Sequence, residues 1–161
     1  MKDLEIIRDS VRCYLVKNGK VVCIKTKMGK EGFFDIPGGK IEEGETVEEA
    51  VVREYQEETG LIIKEPRYRG IIDVVFPKGV HRLRVFVVDC YEGKMVETDS
   101  HIPYFMDIDT LLQQNKRFAC TVMLEPTFRK VLLDNSKSFY LVVHTSEEEV
   151  IRKLSFEVYD N

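Results

Sequence analysis

The stretch of sequence that decides the fold covers residues 39–61 and reads GKIEEGETVEEAVVREYQEETGL. Thr46 followed three residues later by Glu49 is typical of a capping box, in which each side chain accepts a hydrogen bond from the other residue's backbone N–H. We therefore expect a helix from about Thr46 to about Thr59, with Gly60 as its C-terminal stop. Four apolar positions form a narrow stripe that should face a core: Val47, Ala50, Val51 and Tyr55.

Three carboxylates share one face of this predicted helix. Glu54, Glu57 and Glu58 stand at positions i, i+3 and i+4, so their side chains lie next to one another. Like charges so placed repel and destabilise the helix. The cluster is tolerable if the face is simply solvated, or if it holds a divalent cation such as Mg²⁺. The preceding Pro37-Gly38-Gly39 favours the cation, because glycine lets the backbone approach closely.

The flanking segments predict strands that are joined mostly by hairpins. Residues 5–16 and 20–27 are β-rich and are separated by Asn18-Gly19, a strong signal for a tight hairpin turn. Downstream we expect a hairpin of residues 71–76 and 80–91, a strand at 102–106, helices from Asp107 or Asp109 and over 122–133, and strands at 139–143 and 151–158. This order predicts an α/β sandwich around a mixed sheet, in one domain spanning residues 1–161.

Composition and charge argue against several classes of protein. The formal net charge is −4, from 24 basic and 28 acidic side chains, which disfavours a broad cationic face for nucleic acid. The sequence has no apolar run near the ~20 residues that span a bilayer, and residues 1–10 lack a signal-peptide core. The four cysteines and three histidines lack zinc-site spacing. We expect a soluble cytoplasmic protein with buried, reduced thiols, no nucleic-acid or membrane partner, and a monomeric or homodimeric state.

Residues 39–61 resemble the Nudix box, the signature of Nudix (MutT-like) pyrophosphohydrolases. That box is G-x5-E-x7-R-E-U-x-E-E-x-G-U, where U is a bulky aliphatic residue. The positions that match in register are Gly39, Glu45, Arg53, Glu54, Glu57, Glu58, Gly60 and Leu61. The one departure is Tyr55, which is aromatic where an aliphatic residue is usual. We interpret it as a packing variation, because Tyr55 lies on the apolar stripe. The resemblance implies a Nudix-type α/β/α sandwich.

The resemblance also implies roles for the residues of the box. The ligands that it implies for Mg²⁺ or Mn²⁺ are the Gly38 carbonyl oxygen and the carboxylates of Glu54, Glu57 and Glu58. Arg53 would orient these carboxylates, although the same spacing suits an ordinary surface ion pair, and Glu45 would support the loop before the helix. Glu57 is a candidate general base. In some family members the base comes from a later loop, where this chain has Glu97 and Asp99, so the base stays open.

The substrate that the resemblance implies is a small nucleotide. The chain is most similar to pyrophosphatases that convert oxidised purine nucleoside triphosphates, such as 8-oxo-dGTP, to the monophosphate and pyrophosphate. In such enzymes an aromatic and a polar residue line the base pocket, and Phe34 and Asp35 fall there. Phe34 could equally be a core residue and Asp35 a turn residue. This chain has no Trp for the stacking position near the second helix, and Phe118 is the candidate substitute.

Basic residues near the box are candidates for phosphate contacts. Lys25 and Lys40 fall where resembling enzymes place such residues, and Lys27 does so too, although a solvated strand edge explains it equally well. Arg82 and Arg84 alternate on one strand face and could reach the same substrate-binding cleft as these lysines.

Three alternatives remain open. An ADP-ribose or nucleotide-sugar pyrophosphatase would share the box, and Pro77 falls where many such enzymes carry a proline, although Pro77-Lys78-Gly79 is also a good turn. A non-catalytic nucleotide-sensing module is the alternative from another class; the intact carboxylate set argues against it. An RNA cap or 5′-end hydrolase is disfavoured by the lack of basic surface.

Overall fold

The structure is a computed structural model of the 161-residue chain and describes residues 4–29, 31–114, 134, 136–146 and 151–160. Within those ranges the chain forms ten strands and two helices. In chain order they are β1 (Ile6–Lys17), β2 (Lys20–Thr26), β3 (Gly38–Lys40), α1 (Val47–Thr59), β4 (Ile62–Lys64), β5 (Arg67–Phe76), β6 (Gly79–Val88), β7 (Cys90–Glu92), β8 (His101–Asp107), α2 (Ile108–Gln114), β9 (Lys137–Thr145) and β10 (Ile151–Asp160).

The hairpin predicted at Asn18-Gly19 is present between β1 and β2. Both turn residues have positive φ angles, 53° and 73°, which is the backbone geometry that this dipeptide favours. The two strands pair only near the turn, at Val16 with Val21 and at Lys17 with Lys20. Farther from the turn, β1 pairs with β3, while Asp35 forms a bridge with Ile24 of β2. Residues 35–40 therefore enter the sheet between β1 and β2.

The main sheet is mixed, as the sequence predicts. Among the described residues eight strands take part, in the order β10-β9-β5-β6-β1-β2-β8, with β3 beside β1. The pairs β1–β6 and β5–β9 are parallel, and the other pairs are antiparallel. β4 and β7 form a separate two-stranded sheet that the sequence did not predict. Strands of three residues are too short for alternation of apolar and polar side chains to reveal them.

The two described helices cover opposite faces of the sheet. On one face, Ala50, Val51 and Tyr55 of α1 pack in a core with Val11 and other odd-numbered residues of β1. On the other face, Ile108 and Leu111 of α2 pack in a second core with Tyr14, an even-numbered residue of β1, and with side chains of β5 and β9. Successive strand side chains alternate between faces, which explains the division. The predicted α/β/α sandwich is confirmed.

The helix predictions agree with the structure where it describes them. Thr46 caps α1, the capping box is formed, and Gly60 ends the helix in the left-handed conformation with φ 82°. Tyr55 is fully buried, which agrees with its interpretation as a packing residue. The predicted helix over residues 122–133 lies outside the described residues, as does Phe118. In the described parts of the chain, no helix is long and apolar enough to cross a membrane.

The cysteines follow the prediction only in part. Cys13 and Cys23 are buried and free, as expected. Cys90 is free but exposed, because it lies on the short outer strand β7 rather than in the main sheet. Cys120 is not among the described residues.

Candidate active site

Two glycines bring the backbone of β3 into direct contact with its neighbours. A Cβ atom on Gly38 would lie 1.9 Å from the carbonyl oxygen of Val11 on β1, and one on Gly39 would lie 2.3 Å from the carboxylate carbon of Glu54 on α1. Both distances are far below van der Waals contact. The Gly38-Gly39 step is therefore packed between strand β1 and the acidic face of α1, and a side chain at either position would displace its neighbours, which are backbone atoms at Gly38 and the Glu54 side chain at Gly39.

Glu58 is a buried carboxylate beside this step. Its side chain is only 10% exposed, and its Oε1 atom accepts a hydrogen bond of 3.3 Å from the Gly38 N–H. Burial raises the pKa of Glu58 to about 8, although the nearby Arg12 guanidinium and the Gly38 N–H oppose that rise. A buried carboxylate without a hydrogen-bonded cation is unfavourable. Such a group fits a site that takes up a positive ion.

Arg53 organises the remaining carboxylates of the helix face. Its five guanidinium N–H groups make five hydrogen bonds: two to Glu45, one each to Glu54 and Glu57, and one to the carbonyl oxygen of Lys40. The bond from Arg53 and the backbone N–H of Glu42 lower the pKa of Glu45 to about 2. The same pairing with Glu45 raises the pKa of Arg53. The loop before α1 and the helix face are thereby fixed to one another.

The donor set suits a hard divalent cation. Glu54 and Glu58 both contact the Gly38-Gly39 step, one over Gly39 and the other at the Gly38 N–H. Glu57 is the most accessible of the three, with 58% of its side chain exposed, and it faces Arg53. Among the described residues no three acidic, His or Cys side chains converge as a preformed metal cage. Oxygen ligands of this kind, completed by substrate phosphates, are nevertheless the usual set for Mg²⁺.

The loop that carries Glu97 and Asp99 places a histidine, rather than either acid, against Glu58. Glu97 forms an ion pair of 2.7 Å with Lys27, and Asp99 is exposed. His101 has its Nε2 atom 3.8 Å from Glu58 Oε2 and its Nδ1 atom 2.8 Å from the hydroxyl of Ser100. The Thr98 backbone N–H donates a hydrogen bond to the His101 carbonyl oxygen, and the His101 backbone N–H donates one to the Thr98 hydroxyl. These two bonds fix the turn.

Of the two candidate base-binding residues, Phe34 packs on the opposite side of the sheet from α1, whereas Asp35 faces Arg12. Phe34 packs against the core that contains Tyr14, and its ring meets the ring of Tyr104 edge-on at 5.6 Å. The Oδ1 atom of Asp35 accepts a bond from the next backbone N–H, at Ile36. Its Oδ2 atom lies 3.8 Å from the guanidinium of Arg12. Phe34 is thus partly a core residue, and one oxygen of Asp35 remains directed toward Arg12.

The basic candidates divide into those near this region and those held elsewhere. Lys25 lies on β2 two residues after Cys23, so the two share a strand face. Lys40 is exposed, and its backbone rather than its side chain is bound by Arg53. Arg82 and Arg84 do not point at the cleft: they form two-pronged pairs with Asp73 and Asp9, on the strand face shared with Phe86 of the core beneath α1. The alternation of these two arginines on one strand face agrees with the prediction, and both guanidinium groups are bound to aspartates.

Sequence reasoning missed Arg12 and His101. Each is a single polar residue within a strand or at its edge, and neither belongs to a recognisable motif. For Arg12 the signal was its alternation with Ser10 and Tyr14 on β1, but that pattern does not say which face carries the cleft. Both residues became candidates only because long-range pairing brings them beside Asp35 and Glu58.

The comparison with known families agrees with the box. A sequence model of the NUDIX domain matches residues 7–120, which is more than half of the 161-residue chain. The chain therefore belongs to the Nudix family.

Curated relatives share the family but differ in their named activities. An ADP-ribose pyrophosphatase of Methanocaldococcus jannaschii is 39% identical over 102 residues, covering 59% of this chain and 59% of that protein. An oxidized purine nucleoside triphosphate hydrolase of Danio rerio is 34% identical over 100 residues, covering 60% and 64%. The matched part of this chain thus spans about six tenths of the length of these two relatives.

A solved structure shows the same fold over nearly the whole chain. The crystal structure of a MutT protein from Bacillus halodurans superposes with a TM-score of 0.78, covering 94% of this chain and 98% of that one at 24% identity. At that identity the likeness concerns the fold alone.

Proposed function

We propose that this chain is a divalent-metal-dependent pyrophosphohydrolase that cleaves a nucleoside triphosphate to the monophosphate and pyrophosphate. The observation that carries the proposal is the arrangement around the Gly38-Gly39 step. Glu54 and Glu58 approach this step from α1, and Glu58 is buried with a raised pKa and, among the described residues, accepts no hydrogen bond from a cationic side chain. A structural ion pair would have placed a guanidinium or ammonium group there. Mg²⁺ or Mn²⁺ would satisfy the same carboxylate, because carboxylate oxygens are its usual protein ligands.

The residues of the site have separable tasks in this reaction. A bound divalent cation supplies neutralisation of phosphate charge and a water of lowered pKa. Glu54, Glu58 and the Gly38 carbonyl oxygen would hold it, with Glu57 as a further ligand. Arg53 keeps Glu45, Glu54 and Glu57 aligned through four hydrogen bonds, which limits the reorganisation needed on substrate binding.

The general base is assigned to Glu57 within this proposal. It is the most accessible of the three helix carboxylates, so water reaches it, and its hydrogen bond to Arg53 restricts its position. Asp99 is exposed on the turn before His101 and is the alternative base. Glu97 is less suitable, because it is paired with Lys27 at 2.7 Å.

A nucleotide substrate is supported by the region around Phe34. A ring at the edge of the second core can stack on a base, and Asp35 Oδ2 can accept a hydrogen bond from a purine N–H. Lys25 and Lys40 are the candidate phosphate contacts. An oxidised purine such as 8-oxo-dGTP is the finer proposal, and the relative from Danio rerio supports it by its name.

An ADP-ribose pyrophosphatase is the second candidate. The observation that favours it is the 39% identity to the Methanocaldococcus jannaschii protein of that name. The same metal site would serve both reactions, since each breaks a bond between two phosphates.

Product analysis tests the proposal. The protein is incubated with Mg²⁺ or with EDTA and with ordinary and oxidised nucleoside triphosphates, ADP-ribose and nucleotide sugars. We expect a triphosphate to give monophosphate and pyrophosphate with Mg²⁺ only. Preference for ADP-ribose would replace the substrate and keep the metal site, whereas no turnover of any compound would favour a non-catalytic nucleotide-binding role.

Matched variants test the assignment of the carboxylates. Glu57→Gln and Glu58→Gln should each lower kcat by at least about a hundredfold while leaving the fold intact, because the side-chain shape is kept and the charge is lost. Glu48→Gln is the control, since it removes an exposed carboxylate from the first turn of the same helix. Near-normal kcat in both test variants would contradict the proposed metal site.

A further inference from the structure

Arg12 lies where the two halves of the proposed site meet. It stands directly opposite Gly38 in the pairing of β1 with β3, so it is one strand spacing from the step that Glu58 and Glu54 contact. Its guanidinium is 3.8 Å from Asp35 Oδ2, and its charge acts on Glu58. The side chain is 20% exposed. A cation in this position lies between the candidate base-binding residues and the acidic face of α1.

The arginines near the sheet differ in how fully their donors are engaged. Arg53 makes five hydrogen bonds with its guanidinium group. Arg82 and Arg84 each donate two hydrogen bonds to one aspartate. With the described residues, Arg12 makes one hydrogen bond, of 2.9 Å to the carbonyl oxygen of Val11. Its approach to Asp35 is too long for a hydrogen bond. Arg12 therefore keeps donors available for a ligand within this part of the chain.

The charge around Arg12 explains why a ligand would need it. Asp35 and Glu58 make the surroundings acidic, and Arg53 is already committed to carboxylates. A polyphosphate entering such a site is repelled unless positive charge meets it. A guanidinium is suited to this task, because its planar fork matches two oxygens of one phosphoryl group.

We propose that Arg12 binds the phosphoryl group attached to the nucleoside, between the base-binding residues and the metal-binding carboxylates. The inference takes its ligand class, a nucleotide phosphate, from the proposed function. Asp35 orients the free guanidinium, and the phosphoryl oxygens take up its unused donors when substrate arrives. Arg12 is thus a substrate-binding residue, whereas Arg53 is a positioning residue.

Steady-state kinetics of Arg12→Gln provide the first test. We expect KM to rise at least about tenfold, because roughly one charge-assisted hydrogen bond to the substrate is lost. Both kcat and the Mg²⁺ concentration for half-activation should change less than about threefold. Arg67→Gln is the control, because it removes the same charge from an exposed pair with Asp89. Unchanged KM would overturn the inference, and so would an effect confined to kcat or to the Mg²⁺ requirement, which would assign Arg12 to the support of Glu58.

Arg12→Lys keeps the positive charge but loses the planar guanidinium that can bind two phosphoryl oxygens at once. It should raise KM by an intermediate factor of about three, and it supplies the test if Arg12→Gln does not fold. A lysine variant with a KM equal to that of the glutamine variant would still support a forked contact, whereas a wild-type KM in the lysine variant would overturn it.

Direct binding separates this inference from the proposed function. The probes are the α,β-methylene diphosphates of adenosine and guanosine, titrated with Mg²⁺ present by calorimetry, so that no turnover is needed. Binding to the wild type that weakens at least about tenfold in Arg12→Gln supports the inference even if every substrate in the panel is left uncleaved. Equal binding to both proteins overturns it while leaving the proposed reaction standing. A wild type that binds neither probe overturns it as well.

Discussion

Replacing Glu58 with glutamine should make the metal-free protein more stable at neutral pH. The folded-state pKa of Glu58 is raised from 4.5 to about 8, chiefly by burial. Below pH 4.5 the Glu58 carboxyl is neutral in both the folded and the unfolded state, so its burial does not lower the free energy of unfolding through ionisation. Between pH 4.5 and pH 8 the unfolded chain ionises while the folded protein stays protonated, so stability falls as the pH rises. One pKa unit corresponds to 1.36 kcal/mol, which gives a loss of about 3 kcal/mol by about pH 7.

Urea unfolding in EDTA measures this effect. Glutamine keeps the shape and cannot ionise, so the free energy of unfolding of Glu58→Gln should lack this part of the pH dependence. The difference between the two proteins should be small near pH 4.5 and should grow in favour of the variant up to about pH 8. Parallel pH profiles of the two proteins would refute the reasoning, because they would mean that Glu58 is ionised in the fold at ordinary pH.

Addition of Mg²⁺ should reduce the stability advantage of Glu58→Gln over the wild type. A cation that binds only the folded state stabilises it by RT ln(1 + [Mg²⁺]/Kd), about 1.4 kcal/mol at ten times the Kd. The wild type should gain this amount and release a proton on binding near neutral pH, while Glu58→Gln should gain little. Equal gains for both proteins would place the bound cation away from Glu58.

Two further predictions concern the glycine step and Arg53. Gly38→Ala should destabilise the fold by about 3 kcal/mol or more, because its Cβ meets the backbone of Val11, whereas Gly39→Ala should cost only about 1 kcal/mol, because it displaces the flexible carboxylate of Glu54. Gly39→Ala should nevertheless lose most Mg²⁺-dependent turnover. Equal losses of stability for the two alanine variants in urea unfolding would contradict the distinction between the two glycines. Arg53→Lys should lower kcat at least about tenfold, because lysine has three donors in place of a five-donor fork. Unchanged kcat, measured at saturating Mg²⁺, would mean that Arg53 does not align the carboxylates.

Local sequence signals predicted the elements that depend on neighbours in the chain. Asn18-Gly19 fixes the first turn, because both positions adopt positive φ. The capping box of Thr46 and Glu49 fixes the start of α1, and Gly60 fixes its end. The spacing of Arg53 with Glu57 within one helix placed their side chains in contact before any fold was known. In each case the partner lies within a few residues, so its geometry follows from the backbone conformation alone.

The tertiary structure decided which of these residues meet and how deeply they are buried. The sequence contains no sign that β1 and β2 diverge to admit residues 35–40, or that Glu58 becomes 10% exposed beside the Gly38 N–H. Arg84 was a candidate for phosphate contact, yet it pairs with Asp9, 75 positions away, on the sheet face that carries the core beneath α1. Arg12 and His101 joined the site through strand pairing of the same long range. Such contacts depend on the relative free energies of whole packed arrangements, and so on every other strand in the sheet, which no local pattern of residues encodes.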